Sequence, residues 1–161
     1  MEVLEMNRTR AQYYKERQDI ENKWFDEWHE LGGPGHERPN WEYQDEWNKL
    51  KKDWLQSLEI GDRVHINMYS DVIPATIIKR TAKSITVRHD KGELDPTWKP
   101  EFIVGGFAGH CTNQDSQRWN IEEDLNGRVE RFNWSEKYGV WKNNCDETLW
   151  PEWEKYYDYN F

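Results

Sequence analysis

The chain has 161 residues, a formal net charge of −9 and eleven Trp, with aromatics making up 15% of it. That length suits one domain, or one domain with an appendage, and the aromatic content argues against a disordered acidic chain, which lacks such side chains to bury. There is no run of 18 apolar residues, the N-terminus has neither the basic start nor the apolar core of a signal peptide, and Cys111 and Cys145 are too few for a disulfide framework. A cytoplasmic protein without membrane contact is expected. Charge is unevenly placed: residues 1–60 carry −5, 61–100 carry +2 and 101–161 carry −6. A net-acidic protein repels nucleic-acid backbone at long range, so general coating of DNA is disfavoured and only the basic middle segment is an exception.

Residues 4–31 predict an amphipathic helix, because Tyr13, Ile20, Trp24, Trp28 and Leu31 fall on one stripe. Thr9 followed by Gln12 fits a capping box at its start. The stretch LGGPGHERPN (31–40) ends it, since Gly32, Gly33, Pro34, Gly35 and Pro39 do not continue a helix. Asn40 is a candidate cap for a second helix over 41–58, with Tyr43, Trp47, Leu50, Trp54 and Leu58 as its stripe. The two helices predict a hairpin whose outer faces carry Asp26, Glu27, Glu30, Glu42, Asp45 and Glu46.

At Gly61 the period changes. Val64, Ile66 and Met68 alternate with Arg63, His65 and Asn67, which predicts a strand. IPATIIKRT (73–81) and SITVRH (84–89) predict two more, joined as a hairpin. DKGELDPTWKP (90–100) reads as a polar loop, and FIVGGFAGH (102–110) as a strand broken at its glycines. Residues 118–121, 128–134 and 137–141 predict a meander, with Asn126-Gly127 as a hairpin turn. PEWEKYYDYNF is an acidic, aromatic tail. The expected architecture is α+β. An N-terminal helical hairpin (1–58) packs on a small, mostly antiparallel SH3-like sheet or barrel (59–161) with an added β-meander and the aromatic tail.

GDRV, a strand ending in IIKR, a tight turn and SITV together resemble the first strands of SH3-like barrels, including small nucleic-acid-binding ones. Such barrels host many functions, so this resemblance bears on fold. GDRVHINMYSD, KRTAKSITV, KPEFIVGGFAGHCTNQ, QRWNIE, WSEKYGVW and YYDYNF resemble a family of small uncharacterised proteins. That family is carried by phages, plasmids and other mobile elements of bacteria. The likeness spans about residues 60–161 and brings no catalytic residues with it. It implies a bacterial host. It also implies a context in which small acidic proteins often inhibit host defence, anti-CRISPR proteins among them, by binding a nuclease stoichiometrically.

Several groups of residues are candidate sites. Trp24, Trp28, Trp47 and Trp54 have helical spacing and belong to a core between hairpin and sheet. Trp41, Trp150 and Trp153 stand outside the stripes and are candidate anchors for a protein partner. The exposed carboxylates Asp26, Glu27, Glu30, Glu42, Asp45 and Glu46 could face a basic groove on that partner, although Lys15, Arg17, Lys23, Lys49, Lys51 and Lys52 interrupt them. Lys79, Arg80, Lys83, Arg88 and Lys91 cluster about one predicted hairpin and fit either phosphate contact or a lysine-guarded strand edge. His110-Cys111 places a base beside a thiol, but adjacent strand residues point to opposite faces, so the pair is a poor catalytic dyad. CxxC, HExxH, P-loop and dinucleotide-binding glycine patterns are all missing, so neither metal nor cofactor is expected. The leading expectation is a non-enzymatic inhibitor that binds a host defence nuclease, possible Cas effectors included. A nucleic-acid-binding accessory protein is the alternative, and an enzyme using His110 or Cys111 is the third reading. Oligomeric state is not legible.

Overall fold

A computed structural model describes residues 9–33, 41–104 and 109–160, without the side chains of 41 and 42. The chain divides into two compact units at Leu58/Glu59, with Lys137–Gly139 grouped with the first unit.

The first unit is built on helices α1 (Arg10–Glu30) and α2 (Trp41–Gln56). The capping box forms as the sequence predicts: the Gln12 amide donates to Thr9 Oγ1 at 3.1 Å, and the Thr9 amide donates to Gln12 Oε1 at 2.8 Å. At the other end, Gly32 and Gly33 take φ values of 109° and 65°, and the Gly33 amide donates to the Trp28 carbonyl at 3.0 Å. Such left-handed residues close a helix terminus by capturing its last carbonyls. Residues 4–8 and 34–40, Asn40 among them, lie outside the described residues.

The helices run antiparallel. Tyr13, near the start of α1, stacks on Trp54, near the end of α2, with centroids 4.2 Å apart. Trp24 meets Tyr43 at 5.3 Å, and the Arg17 guanidinium lies 3.9 Å over the Trp47 ring. Tyr13, Trp24, Leu50, Trp54 and Leu58 of the predicted stripes are buried, whereas Leu31 is exposed. Leu55, outside the predicted stripe, is fully buried.

The second unit contains a closed six-stranded barrel made of β1 (Arg63–Asn67), β2 (Val72–Arg80), β3 (Ser84–His89), β8 (Val129–Ser135), β9 (Val140–Lys142) and β10 (Thr148–Pro151). Each barrel strand pairs antiparallel with the next barrel strand in the chain, and β10 closes on β1. The alternating apolar positions Val64, Ile66, Ala75, Ile77, Ile85, Val87, Phe132, Trp141 and Leu149 form its core, each at most 1% exposed. About 25 cal/mol per Å² of buried apolar surface makes this filled interior the main source of stability.

Between β3 and β8 an insertion holds two further pairs. One joins β4 (Lys91–Leu94) to β7 (Trp119–Glu122), and the other joins β5 (Phe102–Ile103) to β6 (His110–Cys111). These pairings correct three sequence expectations. The polar loop 90–100 begins with a strand. The strand expected at 118–121 pairs with β4 rather than with 128–134. The meander that does form, β8–β9–β10, is barrel wall rather than an addition, and it takes in Trp150 and the first residue of the expected tail, Pro151. All three differences come from pairing between segments remote in sequence, which local periodicity does not encode.

The turn at Asn126-Gly127 forms, with the Gly127 amide donating to the Asp124 carbonyl at 3.1 Å, but its flanking strands pair elsewhere. Gly127 is there for a close approach: a Cβ on it would lie 1.9 Å from the His89 carbonyl oxygen. The glycines at 105 and 106 lie outside the described residues.

Candidate functional site

The helical hairpin presents carboxylates toward solvent. At 100° per residue, Lys23, Glu27 and Glu30 of α1 lie on the flank of the Tyr13–Trp24 stripe while Asp19 and Asp26 face away from it, and on α2 Glu46 lies on the flank next to Tyr43 while Asp45 faces away. These flanks meet on one side of the hairpin, in a groove lined by Ile20, Lys23, Trp24, Glu27, Tyr43 and Glu46. Asp26, Glu27, Glu30, Asp45 and Glu46 are all exposed, and no described cation pairs with any of them. Packing of aromatic rings between the helices sets this geometry, because the Trp24–Tyr43 contact carries Glu27 and Glu46 to the same groove. Glu42 and Trp41 open α2, and their side chains lie outside the described residues. On the inner stripe, burial pushes the Tyr13 hydroxyl above its ordinary pKa, against the opposing effect of Arg17.

Trp150 and Trp153 are engaged within the second unit. Trp150 sits opposite His65 in the β1–β10 pair and donates from Nε1 to Thr148 Oγ1 at 2.8 Å. Trp153 donates from Nε1 to the Ala75 carbonyl at 3.1 Å and to Asp90 Oδ2 at 2.9 Å. Asp90, a buried carboxylate, also accepts from Thr76 Oγ1 at 2.5 Å and from the Asp124 amide at 3.0 Å. Arg63 lies 4.4 Å over the Trp153 ring and donates to Thr76 Oγ1 at 2.6 Å. Glu123 ties Arg63 to Arg88, at 3.4 and 2.6 Å. Sequence reasoning missed this network, whose members come from β1, β2, β3, the insertion and the tail.

The predicted basic cluster divides. Lys79 and Lys83 are exposed at the β2–β3 turn. Arg80 turns instead to the Trp141 ring, 4.7 Å away, and donates to the Thr81 carbonyl; burial lowers its pKa, with Glu59 opposing the shift. Arg88 and Lys91 lie at the far end of β3, held by Glu123 and by Asp124 at 3.9 Å. Arg131, which sequence reasoning passed over, joins the exposed pair: Lys79, Thr86 and Arg131 stand in one cross-strand row over β2, β3 and β8. The alternation Glu130-Arg131-Phe132, with Phe132 directed inward, was the available signal.

His110 and Cys111 separate as strand geometry requires. His110 is exposed, while Cys111 is 2% exposed and its thiol donates to Asn113 Oδ1 at 3.4 Å. Among the described residues no three His, Cys, Asp or Glu side chains come together as a metal site, and no helix is long and apolar enough to cross a membrane. Comparison of the chain with protein-family models, curated proteins and solved structures finds no match in any of the three.

Proposed function

We propose that the protein is a stoichiometric inhibitor encoded by a mobile element, which binds a host defence nuclease of the anti-CRISPR target class and blocks its nucleic-acid binding or cleavage. The observation that carries this reading is the hairpin groove, where Glu27 and Glu46 converge over an aromatic floor with Lys23 as the one cation in the lining, and Glu30 stands exposed on the same flank. Enzymes that handle nucleic acid bind it in positively charged channels, and an exposed acidic helical face complements such a channel in charge. The resemblance of residues 60–161 to mobile-element proteins, and of the opening strands to SH3-like barrels, belongs to the same proposal. Trp150 and Trp153 are left out of the binding face, since the barrel and the Asp90 network already hold them.

The reading is tested by affinity purification from a CRISPR-bearing bacterial host, followed by a cleavage assay with the captured nuclease at rising inhibitor dose. A nuclease is expected among the retained proteins, with cleavage falling as the inhibitor approaches one equivalent. Cleavage undiminished at molar excess overturns the proposal.

A further inference from the structure

His65 stands at an outward position of β1, yet its side chain is buried, because the chain beyond β10 crosses that face. The Glu152 amide donates to the Arg63 carbonyl at 2.8 Å, and Val72 and Tyr156 exchange backbone hydrogen bonds at 3.0 and 3.1 Å. Between these two fastenings, both ring nitrogens of His65 meet oxygens. Nδ1 lies 2.8 Å from the Glu152 carbonyl oxygen, and Nε2 lies 3.7 Å from Glu154 Oε2. A carbonyl oxygen only accepts, so Nδ1 carries the proton of the neutral ring. Nε2 then turns a lone pair toward a carboxylate, and the ring cannot flip without giving up the carbonyl. A second proton, on Nε2, converts that repulsion into an ion pair.

Burial of the ring works against the charge, as does Arg63, two residues back on the same face of β1. The Arg63 guanidinium is answered by Glu123 at 3.4 Å and lies over the Trp153 ring. Glu152 and Glu154 on the crossing segment, and Asp90 bonded to Trp153, set negative charge on this side of the barrel. The cross-strand neighbours of His65, Pro74 on β2 and Trp150 on β10, carry no charge. We infer that His65 is a proton-operated latch for the segment 152–156. Protonated, it holds the Glu152 carbonyl and the Glu154 carboxylate together and fastens the segment to the barrel; deprotonated, it loosens it. The docked segment supplies the partner for the charge, so the docked state binds the proton more tightly than the released state. The latch is complete below the ordinary histidine value of about 6.5 and is lost as pH rises through the higher docked value. It lies on the barrel and does not depend on which enzyme the hairpin engages.

The test is an NMR titration of the imidazole nitrogens in the full chain, with His65→Gln identifying the resonances. The alkaline form is expected to carry its proton on Nδ1, and the midpoint to lie about one unit above the ordinary histidine value. Glu154→Gln, a conservative change at a partly exposed side chain, should bring the midpoint down by about that unit. Hydrogen exchange of the Tyr156 amide, which is bonded to the Val72 carbonyl, reads the latch itself. Its protection factor should be about tenfold higher at about pH 5.5 than at about pH 8.5, and this difference should vanish in Glu154→Gln. A midpoint at or below the ordinary value, a midpoint unmoved by Glu154→Gln, an alkaline ring protonated on Nε2, or equal protection at the two pH values would each overturn the inference.

Discussion

Trp153 donates its indole N–H to the buried carboxylate of Asp90 at 2.9 Å, and this bond fastens the chain beyond β10 across the outside of the barrel. The same carboxylate receives Thr76 from β2 and the Asp124 amide from the end of the insertion. One side chain therefore joins three segments far apart in sequence.

Removing that carboxylate should be costly. Asp90→Ala leaves Thr76, Trp153 and the Asp124 amide without their shared acceptor, and a hydrogen bond to a charged group contributes about 1.5–3 kcal/mol. A loss of about 3 kcal/mol is expected in urea unfolding. Trp153→Phe leaves an aromatic ring under Arg63 but deletes the donor, and should cost about 1.5 kcal/mol. Equal losses for the two variants would contradict the central place given to Asp90.

Gly127→Ala should destabilise the barrel. Its new methyl would meet the His89 carbonyl at 1.9 Å, which forces the insertion's return away from β3. Overpacking of this kind costs about 1–3 kcal/mol. A fall in the thermal midpoint checks it, and Gly61→Ala is no substitute as a control, because its φ of 90° strains any side chain.

How much of this was legible depends on the distance over which each contact acts. The Thr9–Gln12 cap, the aromatic stripes of both helices and the alternation of β1 to β3 are local and were readable. His65 was not. It occupies an outward position of β1, where alternation predicts exposure, yet it is buried, with Nδ1 2.8 Å from the Glu152 carbonyl oxygen. The chain beyond β10 covers that face and pairs Tyr156 with Val72, a long-range event no local pattern encodes. The same holds for the β4–β7 pairing and for the Arg131 row. On the candidate site, the carboxylates were readable one by one, but the meeting of Glu27 and Glu46 required the packing of Trp24 on Tyr43.

Lys155 offers a pH test. Burial lowers its pKa below the ordinary lysine value, with Asp71 opposing the shift, and its stem packs against Gly92 while its ammonium lies 5.3 Å from the Trp119 ring. A lysine with a depressed folded pKa binds fewer protons folded than unfolded. Its contribution to stability therefore rises with pH, between the folded value and the unfolded value of 10.5. The wild-type minus Lys155→Met difference in unfolding free energy should climb over that alkaline window. A flat difference would contradict the shift.

The two thiols should react at separate times. Cys145 is exposed and should titrate with an aromatic disulfide reagent at once, while Cys111 should react only as the protein unfolds. Two rapidly reacting thiols would contradict the burial of Cys111 beside Asn113 and Asn160.

Charge reversal on the acidic face of the hairpin separates an inhibitor that uses this face from one that does not. Glu27→Lys and Glu46→Lys lie on the exposed rim of the groove, so a doubly reversed protein should fold as the wild type does. In a cleavage titration against the captured nuclease, the wild type is expected to reach full inhibition near one equivalent. The reversed protein should need at least tenfold more, because like charges set against a basic channel cost several kcal/mol. Equal inhibition by both proteins, or none by either, would contradict a binding role for this acidic face.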